Sequence, residues 1–417
     1  MKTVSEVLIR GNDKTRENFI RNRLRLKPGD RFILERQQRS FSELYRTGLF
    51  SKVDLHLKEQ EGTDQWPLVV ELTEAPGKEF YFEPGWGSYE LLRLRAGFQE
   101  RNLFGTGRLF GLEATGSAKA QSLVARLSDP WFLNTKTKAD LTGFYGRREE
   151  PSFTRKDLGG SLLFTRTLTE RVKATGGYGF RMTDLSDVDS DASKDSTTNY
   201  DYASLRAQVT YDSRSDLFFP TRGQRSFISA EYADSFLGSD IKLTRLTSGV
   251  RYFIPLTQST ILGMRYRTGL IIPSKDDFND LPLAERFFNG GENTVRSFKQ
   301  SELGPQDKKG DPVGGLANNV INIELRQRLI GNLTGSLFLD FGNVSPDRRL
   351  EKYDSKSDIM SDTFSEYFEN FRTGVGFGLQ YQLPVGPARV DFAFNPDRDS
   401  DRDEDFFVFH FSVGMAF

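Results

Sequence analysis

The chain ends Phe407-Val408-Phe409-His410-Phe411-Ser412-Val413-Gly414-Met415-Ala416-Phe417. Phe407, Phe409, Phe411, Val413, Met415 and Phe417 fall on one side of an extended backbone. Val408, His410, Ser412, Gly414 and Ala416 fall on the other. A period of two is the signature of a β-strand. Large apolar groups on one face, with small or polar groups on the other, fit a strand between hydrocarbon and a wet interior.

The same alternation recurs upstream. Val172, Ala174, Tyr178 and Phe180 alternate with Arg171, Lys173 and Arg181. Leu262, Met264, Tyr266 and Leu270 alternate with Gly263, Arg265, Arg267 and Gly269, and Leu337, Leu339 and Phe341 with Phe338 and Asp340. About sixteen such strands are expected from residue 78 onward, and helical periodicity is lost there. The connections sort by parity. The long ones, 184–199, 273–317, 345–369 and 396–405, all lie on one side. Short turns such as Thr169-Glu170, Pro255 to Ser259 and Ile330-Gly331 lie on the other. A soluble β-sandwich has no reason to sort loops this way, whereas an outer-membrane barrel does. The expected fold of 78–417 is therefore a transmembrane antiparallel β-barrel of about 16 strands. Both of its ends lie on the short-turn side.

Residues 1–77 read differently. Val4 to Arg10 is a strand, Thr15 to Leu24 a helix with Thr15 as N-cap, and Arg31 to Arg46 a second helix. Phe32, Leu34, Phe41, Leu44 and Tyr45 are its expected apolar anchors. Val53, Leu55 and Leu57, then Val70 and Leu72, mark two more strands. The order β-α-α-β-β describes a small α+β domain. Ala75-Pro76-Gly77 is the expected boundary, giving domains 1–77 and 78–417.

Composition narrows the function. The net charge is −1, so no global basic field calls for nucleic acid. Cys is absent and only His56 and His410 are present. That leaves no thiol nucleophile and no His- or Cys-based metal site, and no nucleophile–base constellation stands out. The chain is read as a non-enzyme, with no cofactor and no bound metal. No run of about 18 apolar residues offers a transmembrane helix. Mean hydropathy is −0.52, which a barrel with a polar lumen shares with soluble proteins. No signal-peptide pattern precedes the first strand, so a mature or shortened chain with further domains upstream is expected.

Within the 273–317 connection stands Arg286-Phe287-Phe288-Asn289-Gly290-Gly291-Glu292-Asn293-Thr294-Val295-Arg296-Ser297-Phe298, followed by Leu303-Gly304-Pro305. A connection this long is functional or disordered. Its Gly-Gly turn and apolar residues argue for an ordered tip. Arg296 alone reads as a solvated loop arginine. Asp340 and Glu324 fall on the inward phase of their strands and offer carboxylates to receive it. Glu324 reads equally well as a wet lumen-lining charge. The acidic run Asp397, Asp399, Asp401, Asp403 and Asp405 lacks the spacing of an EF-hand calcium loop. It reads as a solvated loop, with divalent-bridged contact to lipopolysaccharide as a further alternative. Glycines 374–378 fit close backbone approach better than phosphate binding.

These segments resemble the BamA/TamA-like POTRA–barrel superfamily of outer-membrane assembly and translocation proteins, with the BamA branch nearest. The resemblance covers nearly the whole chain. Tyr45-Arg46-Thr47-Gly48-Leu49-Phe50 carries it in the POTRA domain. In the barrel Asp129-Pro130-Trp131-Phe132, Phe219-Pro220-Thr221-Arg222-Gly223, Phe338 to Asn343 and Gly376 to Gln380 carry it. Val295, Arg296, Ser297 and Phe298 match the family's sixth-loop motif, with Ser297 where the family usually has Gly. The resemblance implies folding and insertion of β-barrel clients through a lateral gate between the first and last strands. Phe80, Phe82, Pro84, Gly85, Gly87, Phe407, Phe409, Phe411 and Phe417 are the expected gate residues. Pro84, Gly85 and Gly87 weaken the first strand, and Phe417 looks like a terminal recognition signal. The implied partners are nascent outer-membrane proteins, periplasmic chaperones or assembly lipoproteins at the POTRA domain, and membrane lipids including lipopolysaccharide. Nucleic acid is not among them. The implied location is the outer membrane, with the POTRA domain in the periplasm. A TamA-like translocation module or a two-partner-secretion transporter is the alternative. A passive porin ranks last.

Overall fold

The computed structural model describes residues 2–188, 197–217, 219–274, 281–348, 353–383 and 386–414. The front segment folds as β1 (Thr3–Arg10), α1 (Glu17–Arg21), α2 (Leu34–Tyr45), β2 (Phe50–Leu57) and β3 (Gln65–Glu74), the expected order. The sheet order is β1-β3-β2, with β1 parallel and β2 antiparallel to β3. Leu68, Val69 and Val70 are all buried, as a central strand requires.

Three details of the sequence reading need correction. The first helix is much shorter than 15–24. Leu24 and Leu26 are both buried at the two-residue spacing of extended chain, so the helix stops at Arg21. Thr15 is not its N-cap. Its N–H and hydroxyl both donate to Glu74 Oε1, at 2.7 and 2.5 Å, and the helix starts behind Arg16 without a side-chain cap. On α2, Leu44 is the buried anchor and packs over the sheet with Ser40 one turn before it. Leu34, Phe41 and Tyr45 are exposed. Phe41 and Tyr45 lie about 100° further round the helix from Ser40 and Leu44. They stack on each other in solvent, 5.7 Å between centroids.

The remaining strands are β4 (Lys78–Gly87), β5 (Leu91–Leu103), β6 (Arg108–Ser117), β7 (Ala120–Asp129), β8 (Thr137–Glu150), β9 (Phe153–Thr167), β10 (Val172–Ser186), β11 (Asn199–Asp212), β12 (Gly223–Ala233), β13 (Leu243–Pro255), β14 (Thr260–Pro273), β15 (Ala317–Arg328), β16 (Leu333–Ser345), β17 (Arg372–Leu383), β18 (Gly386–Phe394) and β19 (Phe407–Val413). A helix α3 (Lys356–Ser365) lies between β16 and β17. Each strand pairs with its sequence neighbours, and β19 returns to β4, closing a sixteen-stranded antiparallel barrel. The alternation explains the closure. Ile228, Leu246, Tyr252 and Leu337 point outward and are exposed. The residues between them, among them Ser229, Arg245, Arg251 and Phe338, face the interior.

The chain forms two compact units. One is 1–81 with 96–113 and 124–142, and the other is 82–95 with 114–123 and 143–417. Within the first, Arg16 N–H donates to Gly105 O at 2.9 Å and Asn102 donates to the Thr15 hydroxyl at 2.8 Å. Arg23 lies between Phe19 and Trp131, 3.4 and 4.1 Å from their ring centroids. Burial against these rings pushes the Arg23 guanidinium down to about 10. Within the second unit, residues 281–316 between β14 and β15 turn inward and pack against the inner faces of the strands.

Candidate functional site

The inward connection is ordered by its glycines and apolar residues. Gly290 and Gly291 have φ of 108° and 99°, and a Cβ on Gly290 would sit 2.4 Å from Lys299 O, so the turn accepts no larger residue there. Val295 and Phe298 are fully buried, and both belong to a cluster with Leu303 and Val344. Between them the backbone aims Arg296 at the barrel wall.

Arg296 is 3% exposed and Asp340 0%. Arg296 Nε donates to Asp340 Oδ2 at 2.7 Å and Nη2 to Oδ1 at 2.7 Å, a bidentate pair. The Arg296 backbone N–H adds a third bond to Oδ2 at 3.1 Å. Nη1 donates to Glu324 Oε2 at 3.3 Å and lies 3.9 Å from Asp391 Oδ2. The guanidinium rests on the Phe338 ring, 3.4 Å from its centroid. Asn322 holds Asp340 Oδ1 at 2.8 Å and Thr294 O at 2.7 Å. Glu324 is shared with Arg326 and Arg389. Ser297 does not adopt a positive φ. Its hydroxyl donates to Thr373 O at 3.1 Å. A Cβ on Gly374 would come within 2.6 Å of that hydroxyl, so Gly374 is what lets the loop close on β17.

A second anchor of opposite sign was not foreseen. Glu285, 2% exposed, leaves the same connection at its other limb and enters a wall of arginines. Arg181 bonds its Oε1, Arg245 Nη2 donates to Oε2 at 2.9 Å, and Tyr200 OH donates to Oε1 at 2.8 Å. Burial alone would raise this carboxyl. Arg181, Arg245 and Arg155 overcome that and hold it at about 2. The one sequence signal was a lone carboxylate inside the apolar run 281–288.

The expected gate residues divide. Phe80 and Phe82 on β4 are among the most exposed large apolar groups, at 78% and 65%. Phe407 and Phe409 also face outward and pack with Phe392 and Phe394. Phe411 is half-buried, and Phe417 and Met415 lie outside the described residues. Gly85 lies at the seam, where an added Cβ would come within 2.9 Å of Val413 O, Pro84 beside it is exposed, and Gly87 is buried at the end of β4. Among the described residues the ladder from β19 to β4 is the single pair Val413↔Trp86, whereas every residue from Ala388 to Phe394 on β18 has a partner on β19. A side chain supplements it. The Ser88 hydroxyl donates to Phe411 O at 3.2 Å and accepts from Phe411 N–H at 2.7 Å. The loop reaches the seam from inside. His410 Nε2 lies 2.8 Å from Arg296 O, and Glu292 packs against Gly87.

The acidic run is tied to its own turn, to β17 and to the inward connection. Asp397 accepts from Thr373 N–H at 2.8 Å, Asp399 from Asp401 N–H at 3.0 Å, and Asp405 pairs with Lys299 at 2.7 Å. Among the described residues no group of acidic or histidine side chains is arranged to hold a metal ion.

The family model described as the Omp85 superfamily domain matches residues 102–417, and the POTRA model, described as a surface antigen variable number repeat, matches 2–75. The outer membrane protein assembly factor BamA of Nitratidesulfovibrio vulgaris is 26% identical over 99% of this chain and 51% of its own length. The chain spans about half the length of the curated relatives it matches. The crystal structure of BamA from Haemophilus ducreyi lacking POTRA domains 1-3 superposes with a TM-score of 0.84 at 20% identity, covering 99% of this chain and 84% of that one. CdiB from Escherichia coli superposes with a TM-score of 0.62 at 14% identity, covering 99% and 76%.

Two predictions follow from the anchors. Arg296→Ala should destabilise the barrel by about 3–5 kcal/mol, because Asp340 is left buried and unpaired. Arg296→Lys should restore only part of this, since an ammonium cannot bind both oxygens in one plane. A double-mutant cycle with Asp340→Asn, read by heat-modified mobility, should show coupling. Additive effects would mean that the two side chains do not cooperate. The Glu285 carboxyl is depressed from 4.5 to about 2, so its stabilising share is complete above 4.5 and lost as pH falls toward 2. Glu285→Gln should therefore melt below the wild type at neutral pH, and the gap should close between about pH 4.5 and pH 2. A gap that stays constant over that range would show that the charge of Glu285 is not what holds the loop.

Proposed function

The chain belongs to the Omp85 superfamily, as an outer-membrane barrel with a POTRA domain on the periplasmic side, and on that premise we propose that it folds and inserts β-barrel clients. The observation that supports this reading most is the β19–β4 seam, where the described residues meet at Val413↔Trp86 and through the Ser88 hydroxyl on Phe411. Hydrocarbon offers no partner to a free backbone N–H or C=O, so every other ladder in such a barrel is closed. Pro84 has no N–H to give to a ladder and Gly85 and Gly87 have no side chains to pack, so this edge is inexpensive to open. Once open, it presents an edge that a client strand can join by β-augmentation. The client's own folding free energy then drives release, and no nucleotide is needed. Phe80, Phe82, Pro84, Gly85 and Gly87 on one side, and Phe407, Phe409, Phe411 and Phe417 on the other, would flank the opening. Val295, Arg296, Ser297 and Phe298, with Asp340 and Glu324, would keep the wall beside it rigid.

The POTRA domain, with its boundary placed at Gly77, would receive clients, chaperones or assembly lipoproteins at β2. The outer edge of β1 is occupied by the 29–32 segment, where Val4 N–H donates to Asp30 O at 2.9 Å and Phe32 N–H to Lys2 O at 3.0 Å. β2 is the other edge of the sheet, where the Gln37 side chain reaches Leu55 O. Lipid contact, lipopolysaccharide included, falls to the outward face.

The natural chain has no cysteine, so a Trp86→Cys, Val413→Cys pair would form the one disulfide across the seam. Oxidation should stop insertion of a client barrel into proteoliposomes, and reduction should restore it. Full activity in the oxidised protein would rule out the gate. Continued secretion of a threaded chain by that same protein would favour the transporter alternative. At the POTRA domain, proline in β2 at a position whose N–H faces outward should abolish client capture while the sheet survives. Undiminished pull-down of clients would remove β2 from the reading.

A further inference from the structure

The cross-strand register places arginines side by side on the inner wall. Arg225 on β12 lies directly opposite Arg251 on β13, and Arg251 directly opposite Arg265 on β14. Arg267 stands two residues along β14 on the same face. Like charges directly across a ladder repel, so such a row works against the barrel unless an anion joins it. The carboxylates on the neighbouring strands are already engaged. Asp212, opposite Arg225 in the register, is chelated by Arg214 at 2.8 and 3.0 Å. Asp340 and Glu324 hold Arg296, and Glu231 holds Arg206 and Arg245. Among the described residues none of Arg225, Arg251, Arg265 or Arg267 lies within 4.0 Å of a carboxylate. Arg265 bonds only the neutral carbonyl of Asn293, at 2.9 Å.

We propose that this row is an anion-binding surface inside the lumen for an acidic segment of an extended polypeptide. Three arguments fix the ligand class. The side chains alternate with Ile228 and Tyr252, which point outward, so a lipid headgroup outside the barrel does not reach them. Neighbouring strands are about 4.8 Å apart, so three arginines in a row span roughly 10 Å. A single phosphate is too small to touch them all. An extended peptide repeats side chains on one face about every 6.6–7 Å and can place successive carboxylates along the row. The row lies between the short turns 213–222 and 256–259 and the loop tip, toward the periplasmic end. A cavity of about 230 Å³ opens beside it, lined by Arg251, Arg265, Arg296, Arg326 and Arg389 together with the two carboxylates Glu292 and Glu324, so arginine outnumbers acid there. This deepens the reading of the chain as a handler of unfolded clients and rests on it. It says that acidic stretches, met from the periplasmic side, are held in the lumen.

The test uses the full chain in detergent micelles and a fluorescent twelve-residue peptide alternating Glu and Thr, with its Gln counterpart and inorganic phosphate as competitors. The Glu peptide should bind, its affinity should fall steeply with added salt, and the Gln peptide should not compete. Arg251→Gln with Arg267→Gln should weaken binding roughly tenfold or more, as expected for lost charge-assisted bonds. Removing repelling charges leaves the fold intact, which unchanged heat-modified mobility checks. Equal binding by the double variant would overturn the site. Competition by the Gln peptide would overturn the charge argument. Phosphate displacing the peptide at equal charge concentration would reduce the row to a simple anion site and overturn the polypeptide assignment. Because binding is read without client insertion, a barrel that binds the peptide but inserts no client would refute the assembly reading and leave this one standing.

Discussion

The pair between Arg296 and Asp340 carries more of this architecture than any other contact. Two charges taken out of water are tolerated only when each satisfies the other, and neither can then move alone. The surroundings are shaped to that requirement. Phe338 supplies a flat floor for the guanidinium, Asn322 fills a remaining lone pair of Asp340, and Glu324 takes the outer nitrogen. Gly374 leaves room for Ser297 to approach β17. Residues 281–316 become part of the interior because Arg296 and Glu285 each find buried partners of opposite charge on the wall.

That loop is held at two places by complementary chemistry. On one limb it contributes the acid, Glu285, to a wall of arginines, and on the other it contributes the arginine to a wall of acids. The walls are therefore charged oppositely, and the loop fits in one orientation only. Between the anchors Phe287 and Phe288 pack against the cluster of Leu281, Leu283 and Leu316, so the segment is a beam rather than a tether.

Against this rigid side stands the seam. Strands such as β13 pair along their whole length, while among the described residues β19 meets β4 at Val413↔Trp86. The same loop lies behind both, with Arg296 O at His410 and Glu292 at Gly87. The Arg296 anchor and the β19–β4 seam thus share one support.

Much of this was readable from residue order. Period-two alternation is a local property, so it placed the strands within a few residues and put Asp340 and Glu324 on the inner face. The sorting of loop lengths distinguished a barrel from a sandwich, because only closure with two unlike ends separates them. Helical faces were read less well. Leu34, Phe41 and Tyr45 belong to a broad apolar stripe, and which edge of it meets the sheet depends on how the helix is rolled. Register lay beyond sequence altogether. The arginines around Glu285 come from β10 and β13, and the row from Arg225 to Arg265 exists only once three strands are aligned. The bond from Ser88 to Phe411 joins residues 323 positions apart. Alternation is written between neighbours along the chain and follows from each residue's own chemistry. Register and closure are written between strands, and only the assembled ladder decides them.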